Sequence, residues 1–339
     1  MQKIKINNRR YIWSKTNLLE NINAVIEKYF WNQNFVFADP FSWTWVVANY
    51  YSERKYKVIA NDLLYSNYVA YQTWMWNDPY DLNKVIDILE GFTSIDSHNL
   101  EENYFSDKFA DKYFERSDAK KIWYIREELE KMRKELTPRE YFILLTSLLY
   151  ETDKIANTCW HFESFLKKTP VERWVNLRLP EIKENCWKNE IYCKDANQLV
   201  REIKSDITYI DPPYNARQYV NFYHVLENLA LWQKPEELEW NSMKFKRNHL
   251  KSDYSKSKAP DVFNDLIQNI SSKLIIVSYN NTYDARSWAS NNKITEEQII
   301  SSLAEKWKVS KQEIDYKFFN AWKTDLKNHK ELLFICEVK

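Results

Sequence analysis

Glycine is nearly absent from this chain. Usage of about 7% gives roughly two dozen glycines in a typical protein of this size, and these 339 residues hold one, Gly91. The four cysteines, Cys159, Cys186, Cys193 and Cys336, form no C-x-x-C pair, which argues against a structural zinc site. No apolar run reaches membrane-spanning length, so neither a membrane anchor nor a membrane partner is expected. Net charge is also lacking: at +1 it gives no global basic field, and any nucleic-acid contact must come from local patches. What remains, 44% hydrophobic and 29% charged residues, suits a globular, reduced, cytoplasmic protein with one or two domains and no metal. Against the missing glycines stand 15 tryptophans.

Several short apolar runs end on an acid. Residues 35–39 (Phe-Val-Phe-Ala-Asp) predict a buried strand, followed by a helical stretch from Val46 to Ser52. Residues 57–62 repeat the pattern and end on Asp62. Further strands are expected at 191–193, 207–210, 274–279 and 332–338, and helices at 196–204, 222–232, 261–270 and 295–307. Strands alternating with helices predict a three-layer α/β domain. From 76 to 170 the pattern becomes helical, with charge-laced periodicity from Trp123 to Leu136 and a helix from Pro138 to Tyr150 with proline in its first turn. The expected organisation is a catalytic domain of residues 1–75 and 171–339 interrupted by a helical insertion, 76–170. Ligands of open α/β sheets bind at the carboxyl ends of the strands, where Asp39, Asp62, Asp195 and Asp211 fall. A lone acid in such a place is ordinarily a turn or cap residue; four in equivalent places suggest one cleft.

The run Ile207–Tyr214 ends in Asp211-Pro212-Pro213-Tyr214. The carboxylate is an acceptor, the prolines fix the backbone and free its carbonyls, and the tyrosine offers a flat face on which a base can stack. These groups suit an exocyclic amino group. Such a nitrogen is a poor nucleophile, because its lone pair is delocalised into the ring. Hydrogen bonds from it to the Asp211 carboxylate and the Pro212 carbonyl would favour a pyramidal nitrogen aligned for in-line attack.

In this order the segments resemble the Dam-like family of DNA N6-adenine methyltransferases, including the modification enzymes of restriction systems. Tyr11-Ile12-Trp13-Ser14-Lys15 is similar to the family's Y-x-G-S-K, Asp39-Pro40-Phe41-Ser42-Trp43-Thr44-Trp45 to D-P-F-S-G-x-G, and Asp211 to Tyr214 to D-P-P-Y. The resemblance implies a Rossmann-like S-adenosylmethionine-dependent methyltransferase fold with the helical insertion as target recognition domain. It implies a cofactor site of Tyr11, Lys15, Asp39, Phe41, Asp62 and Asp195, with Asp62 on the ribose hydroxyls and Asp195 near the adenine. Asp39 would pair with the cofactor's ammonium and Lys15 with its carboxylate. Catalysis would fall to Asp211, Pro212, Pro213 and Tyr214, the last stacking on an adenine flipped from the duplex. Double-stranded DNA is the implied partner, with a restriction endonuclease acting on the same DNA without direct contact.

For DNA contact the candidates are Arg217 and Gln218, just past the motif, and Lys244, Lys246 and Arg247, in a run to Lys258 holding six Lys or Arg against one Asp. Such a run is equally a solvated loop. His161 reads as an ordinary histidine.

The family places glycine where Trp13, Trp43 and Trp45 stand. Glycine lets the turn be tight and the backbone lie against the cofactor. An indole with a body of roughly 150–250 Å² does neither. Trp160, Trp288 and Trp322 also occupy turn-like contexts, whereas Trp123 and Trp232 lie in amphipathic helical runs. The distribution reads as systematic glycine-to-tryptophan replacement in an altered methyltransferase sequence. Cofactor binding is expected to be blocked or severely weakened, and folding compromised. Two other functions fit the chain: a non-catalytic DNA-binding scaffold, and methylation of RNA or protein on the same fold.

Overall fold

A computed structural model describes residues 1–10, 15–183, 189–239, 241–282, 291–315 and 330–339. Tyr11, Trp13, Cys186, Trp288 and Trp322 lie outside the described residues. The strands are β1 (Lys3–Ile4), β2 (Val36–Asp39), β3 (Lys57–Asn61), β4 (Leu179–Pro180), β5 (Glu190–Tyr192), β6 (Ile207–Ile210), β7 (Leu274–Asn280), β8 (Trp307–Asp315) and β9 (Lys330–Val338). The chain divides into two compact units. The first comprises Met1–Ser14, Leu64–Ile191 and Val220–Leu250, and the second Lys15–Leu63, Tyr192–Tyr219 and Lys251–Lys339.

A seven-stranded sheet runs in the order β5-β3-β2-β6-β7-β9-β8, and all its strands but β5 lie wholly in the second unit. The pairs β2–β3, β2–β6 and β6–β7 are parallel, whereas β7–β9 and β9–β8 are antiparallel. From β2 the chain runs outward to β3 on one side, while β6 and β7 build the other, so the order reverses between β2 and β6. This switch point opens a crevice at the carboxyl ends of the two strands. One face of β7 and β9 buries Ile275, Val277, Tyr279, Leu332, Phe334 and Cys336 under the helices Ala259–Asn269 and Glu296–Ala304. Leu274, Ile276, Ser278, Leu333 and Ile335, pointing the other way, are equally buried. A sheet covered on both faces is the expected three-layer α/β arrangement.

The sheet strands and the helices near 46, 222 and 261 form where hydrophobic periodicity places them. Several elements differ. The helix expected over 196–204 stops at Leu199, and the one expected to reach 307 stops at Ala304. Trp307 instead starts β8, an edge strand with mostly exposed side chains, whose charged residues give no apolar period to read. The helices Leu19–Phe30 and Tyr65–Met75 lie where the sequence pattern predicts no element.

The first unit is helical, and the helices between 76 and 170 all fall within it. Thr137 caps the helix Pro138–Ile155: its hydroxyl accepts from the Glu140 N–H, and the Glu140 carboxylate accepts from the Thr137 N–H. Nearly all of this helix is buried, including its polar residues Arg139, Glu140, Thr146, Ser147, Glu151, Thr152 and Asp153. The helix Tyr65–Met75 has no capping side chain of its own; the buried Glu227, from the helix Val220–Leu231, accepts from the N–H groups of Tyr65 and Ser66. A carboxylate there also meets the positive end of the helix dipole. Glu227→Ala strands two buried donors, and we expect a loss of about 2–3 kcal/mol in urea unfolding.

Candidate functional site

The switch point brings Asp39 and Asp211 together. Phe37 and Ala38 of β2 pair in register with Ile207 and Thr208 of β6, so Asp39 ends one strand beside the neighbour that continues into Asp211. Asp62 follows β3, whose Ala60 is the register partner of Asp39. Asp39 is buried. Burial and the nearby Asp211 push its carboxyl well above the usual carboxylate range, with Asp62 adding repulsion. Its Oδ1 has no hydrogen-bond partner among the described residues. A buried carboxylate oxygen left over, amid other acids, is an environment that a cation relieves.

The turn after Asp39 is held by a small network. The Ser42 hydroxyl donates to the Asp39 carbonyl (2.8 Å) and accepts from the Asn61 N–H (3.2 Å). Asn61 is buried, and its amide donates to the carbonyls of Pro40 (2.9 Å) and Lys194 (3.0 Å) while accepting from the Lys194 N–H (3.0 Å). Asn61 thus ties the Asp39 turn to the segment leading into Asp195. The residue preceding an acid at a strand end was the only sequence signal for this role. Asp195 is exposed and caps the helix Ala196–Leu199 through the N–H groups of Asn197 and Gln198. Phe41 meets Tyr254 edge-on at 5.1 Å, and the Tyr254 hydroxyl donates to Asn197. Phe41 and Asp195 thereby frame one side of the same strand ends.

At Asp211 the geometry is closed. Its carboxylate accepts from the Tyr214 hydroxyl, and the Lys15 ammonium lies 3.4 Å from it and 3.1 Å from Glu331. Burial alone would lower the Lys15 pKa, but Asp211 and Glu331 outweigh it and raise it. Burial raises Asp211 despite the attraction of Lys15. Pro212 is buried, Pro213 half-buried, and the Tyr214 ring meets Tyr279 edge-on at 4.7 Å. Glu331, on β9, was not identified from the sequence, because only the antiparallel return of the last strand brings it to Lys15.

Trp43 occupies this crevice. Its indole N–H donates to the Asp211 carbonyl at 2.6 Å, and its ring meets Tyr219 edge-on. Trp43 and Trp45 both hold left-handed backbone, at φ 46° and 65°. The Trp45 N–H closes the turn on the Ser42 carbonyl, and its side chain is fully buried.

The DNA-contact candidates are engaged within the chain. Gln218 clasps the backbone of Ser252 through both ends of its amide. The Arg217 N–H bonds the Asn215 side chain, while the Arg217 side chain is exposed. In the first unit Lys246 pairs with Glu237 (2.6 Å), Lys244 lies 3.9 Å from Glu163, and the mostly buried Arg247 donates to Asn221 and to the Phe245 carbonyl.

Because the Asp39 pKa is raised in the folded state, its contribution to stability is complete below the ordinary carboxylate pKa and is lost as pH rises through the folded value. Asp39→Asn therefore raises the Tm at neutral pH and flattens its fall between acid and neutral pH, as melts across that range would show.

The profile of the D12 class N6 adenine-specific DNA methyltransferases matches residues 11–303. The chain is 38% identical over 287 residues to modification methylase StsI of Streptococcus sanguinis, covering 80% of this chain and 44% of that protein. It is 31% identical over 311 residues to type II methyltransferase M.FokI of Planomicrobium okeanokoites, covering 87% and 46%. Against type II methyltransferase M.NlaIII of Neisseria lactamica it is 30% identical over 303 residues, covering 87% of each. The chain thus spans a little under half the length of the first two relatives and most of the third. With a mostly parallel sheet reversing order between β2 and β6, it has the Rossmann-like methyltransferase fold, and it belongs to the D12 class N6 adenine-specific DNA methyltransferase family.

Proposed function

We propose that this protein descends from an enzyme that transfers a methyl group from S-adenosylmethionine to adenine N6 in duplex DNA, acting on a flipped base, and that as written it is inactive or severely impaired. The observation that carries the reading is the approach of Asp39 to Asp211 at the switch point, with one Asp39 oxygen left without a hydrogen-bond partner among the described residues and so available to a cation. When bound, the cofactor supplies an electrophilic methyl on a sulfonium centre. Asp39 would hold its ammonium, Asp62 the ribose hydroxyls, and Phe41 with Asp195 the adenine. Tyr11 completes the set by resemblance. Lys15, engaged with Asp211 and Glu331, would orient the acceptor carboxylate and contribute positive charge near the carboxylate end of the donor.

On the acceptor side, the Asp211 carboxylate and the Pro212 carbonyl would take the two hydrogens of the adenine amino group, and Tyr214 would stack on the base. This requires Tyr214 to release Asp211, to which its hydroxyl now donates. The helical segment 76–170 is the proposed target recognition domain. Arg217 would act at the acceptor strand, with Lys244 and Lys246 on phosphates; Gln218 and Arg247, proposed with them from the sequence, are spent on the Ser252 backbone and on Asn221 and the Phe245 carbonyl and would shape the loops rather than touch DNA. A restriction endonuclease of the same specificity is the expected companion, acting on the same DNA without contact.

The impairment is attributed to Trp43 and Trp45, together with Trp13. The Trp43 indole lies on the Asp211 carbonyl and against Tyr219, beside the acceptor motif. A non-catalytic DNA-binding scaffold is the second reading, favoured by the same indole. Calorimetry with S-adenosylmethionine separates the expectations: this chain binds at least tenfold more weakly than its Trp43→Gly/Trp45→Gly variant, a difference of about 1.4 kcal/mol or more. Micromolar binding by the chain as written overturns the impairment. Labelled methyl transfer by the double variant should reach duplex DNA and be lost on adding Asp211→Ala, with donor binding retained. Transfer to RNA or protein alone would move the acceptor assignment. Salt-dependent duplex binding without transfer would favour the scaffold.

A further inference from the structure

Tryptophan stands in this chain where backbone geometry calls for glycine. Among the described residues nine non-glycine positions hold positive φ, and four of the nine are tryptophan: Trp43, Trp45, Trp174 and Trp232, at 46°, 65°, 59° and 54°, beside Asn32, Lys55, Asp111, Lys234 and Met243. Left-handed backbone is uncommon outside glycine, and for a bulky side chain it is an outlier. Asn and Asp visit it because a short polar side chain bonds locally; an indole has no such aid.

The four positions have unrelated surroundings. Trp43 and Trp45 form the strand-to-helix turn of the second unit, whereas Trp174 is an exposed loop residue of the first unit. Trp232 follows the helix Val220–Leu231 directly, and its N–H bonds back to the Asn228 carbonyl at 3.1 Å. That is the left-handed position that ends a helix and is ordinarily glycine. The helical reading of Trp232 is therefore corrected: it terminates the helix. One local function, such as a stacking face, does not account for all four places. Their shared feature is the backbone angle.

The one glycine in the sequence shows the converse. Gly91 lies inside the helix Leu82–Ser94, at negative φ, and a Cβ there would meet nothing within 4 Å. Glycine is missing where it is needed and present where it is not.

We infer that positions 43, 45, 174 and 232 are glycine in the protein its own cell makes, and that UGA codons encode them. UGA is read as stop, tryptophan or glycine according to the tRNA or release factor that meets it, and it differs from the glycine codon GGA in one base. A gene whose UGA codons mean glycine yields, with UGA read as tryptophan, a chain with indoles at glycine places and almost no glycine elsewhere. The abundance of Lys, Asn, Ile and Tyr agrees, since their codons are built largely of A and U and imply a genome in which GGN codons are scarce. The inference stands on backbone geometry and composition. Its consequence for the donor site rests on the proposed function: without the indole at 43, the space beside Asp211 opens.

The test is to read the four codons in the gene and to measure the corresponding peptides by mass spectrometry of protein isolated from the source cells. UGA codons and glycine-containing peptides are expected. UGG codons, or tryptophan in the peptides, overturn the inference. Independently, the chain carrying Trp43→Gly, Trp45→Gly, Trp174→Gly and Trp232→Gly should melt several degrees above the tryptophan chain without cofactor or DNA; equal or lower stability counts against the inference. Neither measurement involves methyl-donor binding, so the methyltransferase reading can fail while this one stands.

Discussion

The site depends on the turn that carries the chain from β2 into the helix Val46–Glu53. Within seven residues it must end a buried strand, reverse direction, and present Asp39 at the switch point, which it does with two left-handed residues and a hydrogen bond from residue 45 to Ser42. Left-handed geometry costs an L-residue roughly 1–2 kcal/mol, and here two bulky side chains must also be placed. One indole is buried at 45, and the other lies on the Asp211 carbonyl. The same turn therefore sets both the position of Asp39 and that of the indole on the Asp211 carbonyl.

Electrostatics explain why the acids are worth holding there. Asp39, Asp62 and Asp211 sit at neighbouring strand ends with less positive charge than negative, and Lys15 is shared between Asp211 and Glu331. Such a cluster is costly in an empty crevice and favourable around a cationic ligand. Asn61 contributes by fixing geometry: its three hydrogen bonds join the Asp39 turn to the Lys194–Asp195 segment, holding acids far apart in sequence in one frame.

Family membership is written along most of the chain, whereas chemistry rests on a few side chains. The match over residues 11–303 establishes descent, while the side chains establish what the present chain has kept. Asp39, Asp62 and the Asp-Pro-Pro-Tyr motif stand at neighbouring strand ends. Arg247 and Gln218, by contrast, spend their hydrogen bonds inside the protein, so residue type alone is a poor guide to a DNA contact.

The sequence by itself determined the strand ends that carry acids, the α/β alternation, the helical character of 76–170 and the likeness to adenine methyltransferases. Those features are local, since a strand end or a capping box is written in a few consecutive residues. Tertiary structure decided what depends on residues distant along the chain: the reversal that sets Asp39 beside Asp211, the Glu331 partner of Lys15, and the edge strand Trp307–Asp315, whose exposed side chains carry no apolar period. It also decided that Trp232 ends a helix, because an amphipathic run shows where a helix's apolar face lies and not the φ of the residue after its last turn.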